Sequence, residues 1–396
     1  PSTLDRSTRV HDDMPRLQST RLRCGSTHLN RVQNRMLQHT SPGADVVVTN
    51  LHKGILADWL ADHVVHGHIV VPGVALLEML CAAGLQASGG STAWRTATAC
   101  VESFVVERPV VAVDTRRGTA GAATSLQCSV ARDGGVVVRR SIAGGRAGAD
   151  QGDDAAVVDE VVHARGTVRT DMAEPLWDVL AQTAVDTWSA LQNTESMCVH
   201  EQSGDELYAS MKARGIRYGK SFRLVQRVVA GFPTTPSSGA GVAESVAVLS
   251  TAAIHNNARA THMVPPALLD AMLQSSSVPM CMILSDRSET NAVDGTSDES
   301  QSHQSTVLSQ ALVPVSMDRL WVRSGEVDAL WASAECQAHV TVRRAEADMA
   351  IFDCSLVAGD GTVIVRAESV CVRRVAADAV AAAAQLDEGL LSVEPS

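Results

Sequence analysis

The sequence predicts an α+β fold built twice: in each half, one helix buried on every side is wrapped by a curled antiparallel sheet. Two stretches, GVALLEMLCAAGLQAS (73–88) and PPALLDAMLQSSSVPMCMIL (265–284), are apolar nearly all round, the mark of a helix with no solvent face. Each is followed by several short β-rich runs with a hairpin signal among them, Asp133-Gly134 in the first half and Asp360-Gly361 in the second. The two helices also share a tetrad, Ala75-Leu76-Leu77-Glu78 against Ala267-Leu268-Leu269-Asp270, and both are entered from proline.

In chain order, residues 1–42 are rich in Ser, Thr, Arg and Gln and read as a flanking linker. The first half is taken as 43–185. It holds a strand at 44–51, an extended run from His63 to Val71, the buried helix, and strands at 99–113, 123–132, 135–144 and 161–169. A Gly- and Asp-rich loop (143–160) and a connecting helix (173–184) fill the rest. The second half is taken as 195–376. Here RGIRYGKSFRLV (214–225) turns into a strand, 231–250 is strand-like, and the second buried helix follows. The polar segment 285–306 is expected to be mobile. Strands are predicted at 311–323, 329–344, 349–359 and 361–375. The Ala-rich stretch 377–396 is read as a C-terminal linker toward a neighbouring domain. The opening at Pro1, without methionine, suggests a segment of a longer polypeptide.

Composition narrows the function. A net charge of -11, with 33 Lys and Arg against 44 Asp and Glu, argues against a nucleic-acid binder, because phosphate contacts need a basic face. The nine cysteines are scattered and never closely paired, so neither a disulfide framework nor a metal knuckle is predicted; a cytoplasmic or other reducing compartment fits. No apolar stretch is read as a membrane span, and no signal peptide is recognised.

Two side chains stand out chemically. Asp270 lies among Leu268, Leu269, Met272 and Leu273, where desolvation raises a carboxyl toward the range of a useful proton donor. Gln274, one turn on, can reach that carboxyl. The alternative is an acid satisfied by free N–H groups at a helix start, since Pro265 and Pro266 lie just upstream. His63 opens HVVHGHIVVPG (63–73); in an extended run it points away from His66 and His68, and the spacing fits no metal pattern. Gly67 allows a tight turn or close approach of a ligand. Pro72 and Gly73 start a helix whose unpaired N–H groups can polarise a carbonyl oxygen.

Taken together these stretches resemble the dehydratase domain of polyketide synthases, a double hot-dog fold. The family's histidine, glycine and proline signature is matched by His63, Gly67 and Pro72, and its aspartate four residues before glutamine by Asp270 and Gln274 in PALLDAMLQ. GIRYGKSFR resembles its Gly-x-x-Tyr-Gly-Pro-x-Phe motif, with Lys220 in place of proline, and LVPVSMDRLWV its Leu-Pro strand. Pro265 stands where many members carry histidine. The likeness spans residues 43–376.

The resemblance implies dehydration of a β-hydroxyacyl thioester to the α,β-unsaturated thioester, the substrate riding on the phosphopantetheine of an acyl carrier protein, with no permanently bound cofactor and no metal. His63 is then the base and Asp270 the acid, Gln274 holds the carboxyl, a backbone N–H near Gly73 polarises the thioester, and Tyr218 lines or supports the pocket between the halves. Both catalytic groups are expected to line one cavity, an apolar tunnel suited to a fatty chain. The implied partners are the carrier protein and neighbouring synthase domains, with pairing of two copies left open. Rival readings are a product-template aldol cyclase of the same fold, a double-bond-shifting isomerase, and a non-catalytic docking module.

Overall fold

The computed structural model describes residues 36–37, 45–50, 59–87, 98–112, 125–131, 133–141, 161–169, 198–232, 243–252, 254, 262–292 and 311–389. The predicted loop 143–160, the connecting helix 173–184 and most of the polar segment 285–306 lie outside the described residues.

The strands of the first half are β1 (Met36–Leu37), β2 (Asp45–Asn50), β3 (His63–Val65), β4 (His68–Val70), β5 (Thr98–Val106), β6 (Val111–Ala112), β7 (Ser125–Val130), β8 (Gly135–Ser141) and β9 (Val161–Arg169). Those of the second are β10 (Cys198–Ser203), β11 (Ile216–Tyr218), β12 (Val225–Gly231), β13 (Ala243–Ser250), β14 (Leu312–Arg323), β15 (Glu335–Ala345), β16 (Met349–Val357) and β17 (Val363–Arg374). The described helices are α1 (Gly73–Ala87), α2 (Gly204–Ala213), α3 (Pro266–Gln274), α4 (Ser277–Ala292) and α5 (Ala377–Gly389), with a 3-10 segment at Ser324–Trp331.

Thirteen strands form one antiparallel sheet in the order β1-β2-β7-β8-β9-β5-β14-β17-β16-β15-β13-β12-β10. Strands of the first half and of the second stay on their own sides, and the two meet at a single seam where β5 pairs with β14 from Ser316↔Val105 to Arg323↔Thr98. Charge pairs bridge that seam: Glu102 accepts from Arg169 at 2.7 Å and faces Arg319 at 3.7 Å, which faces Glu368 at 3.8 Å. Such solvent-facing pairs contribute under about 1 kcal/mol each, so the backbone ladder is the stronger tie.

On the concave side α1 packs on β5, β7 and β9, burying Leu76, Leu77 and Leu80 completely. Helix α3 does the same against β13, β15 and β16 through Leu268 and Met272. Each fully buried leucine contributes about 2 kcal/mol of transfer free energy. The duplicated tetrad sits where the pattern predicts, but its acids diverge: Glu78 Oε1 accepts from the Met263 N–H at 3.4 Å, a structural bond between halves, while Asp270 faces other side chains.

Several elements differ from the sequence pattern, for local reasons. The run His63–Val71 is a hairpin rather than one strand, because His66 and Gly67 both take left-handed φ (48° and 87°), the two-residue turn that suits a twisted pair. The second buried helix breaks at Ser275-Ser276. Pro279 has no N–H to give the Ser275 carbonyl, which instead accepts from Ser245 Oγ at 3.2 Å, and the Ser275 and Ser276 hydroxyls bond back to Ala271 and Leu273 at 2.9 and 2.7 Å. Beyond the break α4 continues to Ala292, into the segment read as a mobile insertion. The run 99–113 splits into β5 and β6 around Pro109, and 329–344 begins as 3-10 turn.

Ordered structure also reaches outside the half boundaries read from the sequence: Met36–Leu37 pairs with β2, and α5 buries Val380 and Ala384 where a linker is predicted. The helical run Pro266–Ser285 is long and apolar enough to cross a membrane, contrary to the sequence expectation, yet most of it is buried inside the fold. It has little face to offer lipid because it is the core of the second half.

Candidate active site

The site forms where a small second sheet, β11-β3-β4-β6, stitches the halves together. Strand β11 comes from the second half and β3 from the first, and their register sets Tyr218 opposite His63. The stitching continues at both ends. The His66 N–H donates to the Gly215 carbonyl at 2.7 Å, the Gly219 N–H to the Asp62 carbonyl at 2.7 Å, and the Ser221 N–H to Asp62 Oδ2 at 2.9 Å. Gly215 has φ +96° with the His66 ring packed against it, so only glycine fits there.

His63 is buried. Its Nδ1 lies 2.7 Å from the Val70 carbonyl, which can only accept, so Nδ1 carries a proton and Nε2 is the nitrogen that offers a lone pair in the neutral ring. The ring meets Tyr218 edge-on at 5.5 Å between centroids and Phe222 at 5.4 Å, and Phe222 in turn packs on Trp59. An imidazole fixed by a carbonyl and walled by aromatic rings is oriented for proton abstraction through one nitrogen.

Asp270 is the fifth residue of α3 and only 5% exposed. The helix-start alternative does not hold, since its partners are side chains: Gln274 Nε2 donates to Oδ2 at 2.7 Å, and the Tyr218 hydroxyl also hydrogen-bonds to the carboxyl. Burial raises the Asp270 carboxyl above its ordinary value, against the opposing pull of His63, Gln274 and Tyr218. The same burial, reinforced by Asp270, holds the Tyr218 phenol well above its usual range, so it stays protonated. Asp270 and His63 are thus electrostatically coupled and share Tyr218 as a common neighbour.

Tyr208 on α2 completes the network and is a residue that sequence reasoning misses. Its hydroxyl accepts from the Val225 N–H at 2.9 Å and donates to Gln274 Oε1 at 3.0 Å, with the Phe222 carbonyl at 3.2 Å. That bond decides which way the Gln274 amide points: its oxygen faces Tyr208, so its NH2 must face Asp270 and the Phe222 carbonyl. The available signal is the capping box of Ser203 and Glu206, which starts α2 and turns Leu207, Tyr208 and Met211 inward. Asp62, beside His63 in sequence, is likewise missed.

A narrow cleft of about 50 Å³ runs alongside. Asp270, Gln274, Tyr218, Arg214, Ser277 and Pro314 are on its wall. His63 is not, contrary to the expectation that both catalysts line one cavity: the Tyr218 ring lies between the imidazole and the cleft. Gly73 begins α1 next to the Pro314 carbonyl, and the Pro72 carbonyl accepts the Ala75 N–H at 2.9 Å, so Pro72 and Gly73 serve as helix entry at the cleft's border. Gly67 has open space around it and is required by its φ alone. His66 bonds the Val375 carbonyl at 3.0 Å through Nε2, a structural role.

A family model described as polyketide synthase dehydratase domain matches residues 35–136, and one described as polyketide synthase dehydratase N-terminal domain matches 188–293 and 301–382, together well over half of the chain. Among solved structures the chain is similar to a trans-AT polyketide synthase dehydratase domain from Brevibacillus brevis, with 20% identity, a TM-score of 0.57, and coverage of 86% of this chain and 98% of that one. A dehydratase domain of a mycocerosic acid synthase-like polyketide synthase gives 19%, 0.57, 88% and 96%. A histidine-to-phenylalanine mutant of the CurJ dehydratase, described as inactive, gives 16%, 0.56, 87% and 96%. At these identities the solved structures establish the double hot-dog fold alone. No curated protein matches the chain.

Proposed function

The chain belongs to the polyketide synthase dehydratase family, hydro-lyases that remove water from β-hydroxyacyl thioesters in polyketide biosynthesis, and on that premise we propose that His63 is the base and Asp270 the acid of the elimination. The observation that carries this reading is the coupling of a carbonyl-anchored imidazole to a buried carboxyl of raised proton affinity, each from a different half.

The chemistry follows from those states. His63 Nε2 takes the α-proton, and the C–H electron pair forms the new double bond as the β C–O bond breaks. Asp270, whose hold on its proton burial strengthens, gives that proton to the departing hydroxyl, so water leaves and the carboxylate inherits the positive field of the imidazolium. Gln274 and Tyr218 hold the carboxyl through its oxygens. The N–H groups at the start of α1 near Gly73 stabilise charge on the thioester oxygen.

The substrate arrives on the phosphopantetheine arm of an acyl carrier protein, within a polyketide synthase of neighbouring domains. That a histidine-to-phenylalanine change is described as inactivating in the CurJ dehydratase supports an essential imidazole in this fold. Cys81, Cys100, Cys128, Cys281, Cys336, Cys354 and Cys371 are free thiols, which supports a reducing compartment. The test is elimination from a 3-hydroxyacyl pantetheine thioester, followed by the appearance of the enoyl chromophore. The expected result is turnover by the wild-type chain and a fall of roughly 1,000-fold or more in His63→Ala and Asp270→Asn. Turnover that survives either change overturns the assignment.

A further inference from the structure

Seven residues beyond Asp270, the cleft wall carries a polar pair that elimination does not use. Ser277 is 6% exposed and lines the cleft, yet its Oγ has no hydrogen-bond partner. A serine in a helix usually bonds the carbonyl four residues back, here Leu273, but that oxygen already accepts the Ser276 N–H at 3.1 Å and the Ser276 hydroxyl at 2.7 Å. Arg214 lies on the same wall. Its guanidinium is held only by neutral groups, Nε on the Ser210 carbonyl at 3.3 Å, Nη2 on Ser210 Oγ at 3.0 Å and Nη1 on Cys281 Sγ at 3.4 Å, and it makes no ion pair with any described residue. Five N–H donors meeting three acceptors leave donors to spare.

A buried hydroxyl without a partner and a half-buried cation without a counter-ion, on one wall of one cleft, are expensive features unless a ligand oxygen completes them. We propose that Arg214 and Ser277 form a subsite for a carbonyl or hydroxyl oxygen on the acyl chain itself, remote from the reacting carbons, so that the preferred substrate is an oxygenated polyketide chain rather than the plain fatty chain predicted from the apolar wall. The inference rests on the dehydratase reading. Asp270 and Gln274 lie at i, i+4 on α3, and Ser277 begins α4 just past the break, on the same cleft wall. A chain whose β-hydroxyl meets Asp270 brings an oxygen several carbons further on to Ser277. The phosphate of the carrier arm fits less well, because it enters from solvent while the Ser277 hydroxyl is enclosed.

The experiment compares kcat/KM for two sets of 3-hydroxyacyl pantetheine thioesters of equal length, one with plain alkyl chains and one with a single keto oxygen moved carbon by carbon toward the far end. In the wild-type chain one keto position is expected to exceed its alkyl counterpart roughly ten-fold, the strength of a charge-assisted hydrogen bond. That ratio falls to about one in Ser277→Ala and in Arg214→Gln, and is partly restored in Arg214→Lys. No favoured keto position, or a preference that survives both changes, overturns the subsite. A loss in Arg214→Gln seen only when the pantetheine thioester is replaced by its 4′-phosphopantetheine counterpart assigns Arg214 to the arm phosphate and also overturns it. If the alkyl series itself is not dehydrated, the dehydratase reading fails instead, and the two failures are thereby told apart.

Discussion

Replacing Tyr208 with phenylalanine removes one oxygen and nothing else, and the structure sets the consequences. The hydroxyl accepts from the Val225 N–H at 2.9 Å and donates to Gln274 Oε1 at 3.0 Å, both partners being buried. Leaving a buried N–H and a buried amide oxygen without partners costs about 2–3 kcal/mol, a drop in Tm of about 2–4 °C for a chain of this size. The catalytic effect travels through Gln274. Without Tyr208 only the Phe222 carbonyl, at 3.3 Å, still directs the NH2 toward Asp270, so the amide is held less firmly and the 2.7 Å bond to the carboxyl weakens. That bond lowers the proton affinity of Asp270 against the effect of burial, so its loss raises the carboxyl further. The acid then stays protonated to higher pH, and the alkaline limb of the pH–kcat profile moves up. A loss of about 1.4 kcal/mol of carboxyl orientation lowers kcat roughly ten-fold. A thermal melt and a pH–rate profile of Tyr208→Phe decide the matter. A lowered Tm with kcat and the alkaline limb unchanged shows that the hydroxyl holds only Val225, and the chain of reasoning through Gln274 is refuted.

Two further outcomes concern stability. His339 on β15 is buried, and desolvation, with Arg366 nearby, lowers its pKa from 6.5 to about 4. A histidine of depressed folded pKa stabilises the fold above its unfolded value and loses that contribution as pH falls toward the folded one, here a loss of about 3 kcal/mol between pH 6.5 and 4. Urea unfolding across that range is expected to show the decline in the wild-type chain and a flatter curve in His339→Gln; equal slopes refute the attribution. Gly84 lies in α1 where an added methyl overlaps the Val168 side chain, with Val168 Cβ itself at 2.6 Å. The helix gain of about 1 kcal/mol for Gly84→Ala is outweighed by overpacking of about 1–3 kcal/mol, so a net lower denaturation midpoint is expected, and a higher one contradicts the close approach.

Much of this was legible in the residues because it depends on local pattern. The all-apolar helices, the Asp133-Gly134 and Asp360-Gly361 hairpins and the Asp270–Gln274 pair at i, i+4 each express a short-range rule that the fold does not override. His63 and Asp270 are legible as chemistry, but the screening of His63 by Tyr218 depends on an inter-half strand register that no local pattern encodes. Tyr208 was hidden because its role lies in a bond across 66 residues, to Gln274. The helix break at Ser275-Ser276 was written in Pro279, but an unbroken apolar run masks it, since packing rather than propensity keeps both pieces helical. Sequence patterns also cannot price an unsatisfied hydroxyl, so Ser277 looks like one serine of three.

The meeting of β5 with β14, together with that of β3 with β11, ties the two halves by backbone ladders as well as by packing. The imidazole sits on one of those ladders, and the carboxyl reaches it from the core helix of the other half. Evolution can therefore recut the cleft wall for a new chain without disturbing the reacting pair. Conversely, neither half can be made alone without baring a long run of hungry backbone groups along its cut edge.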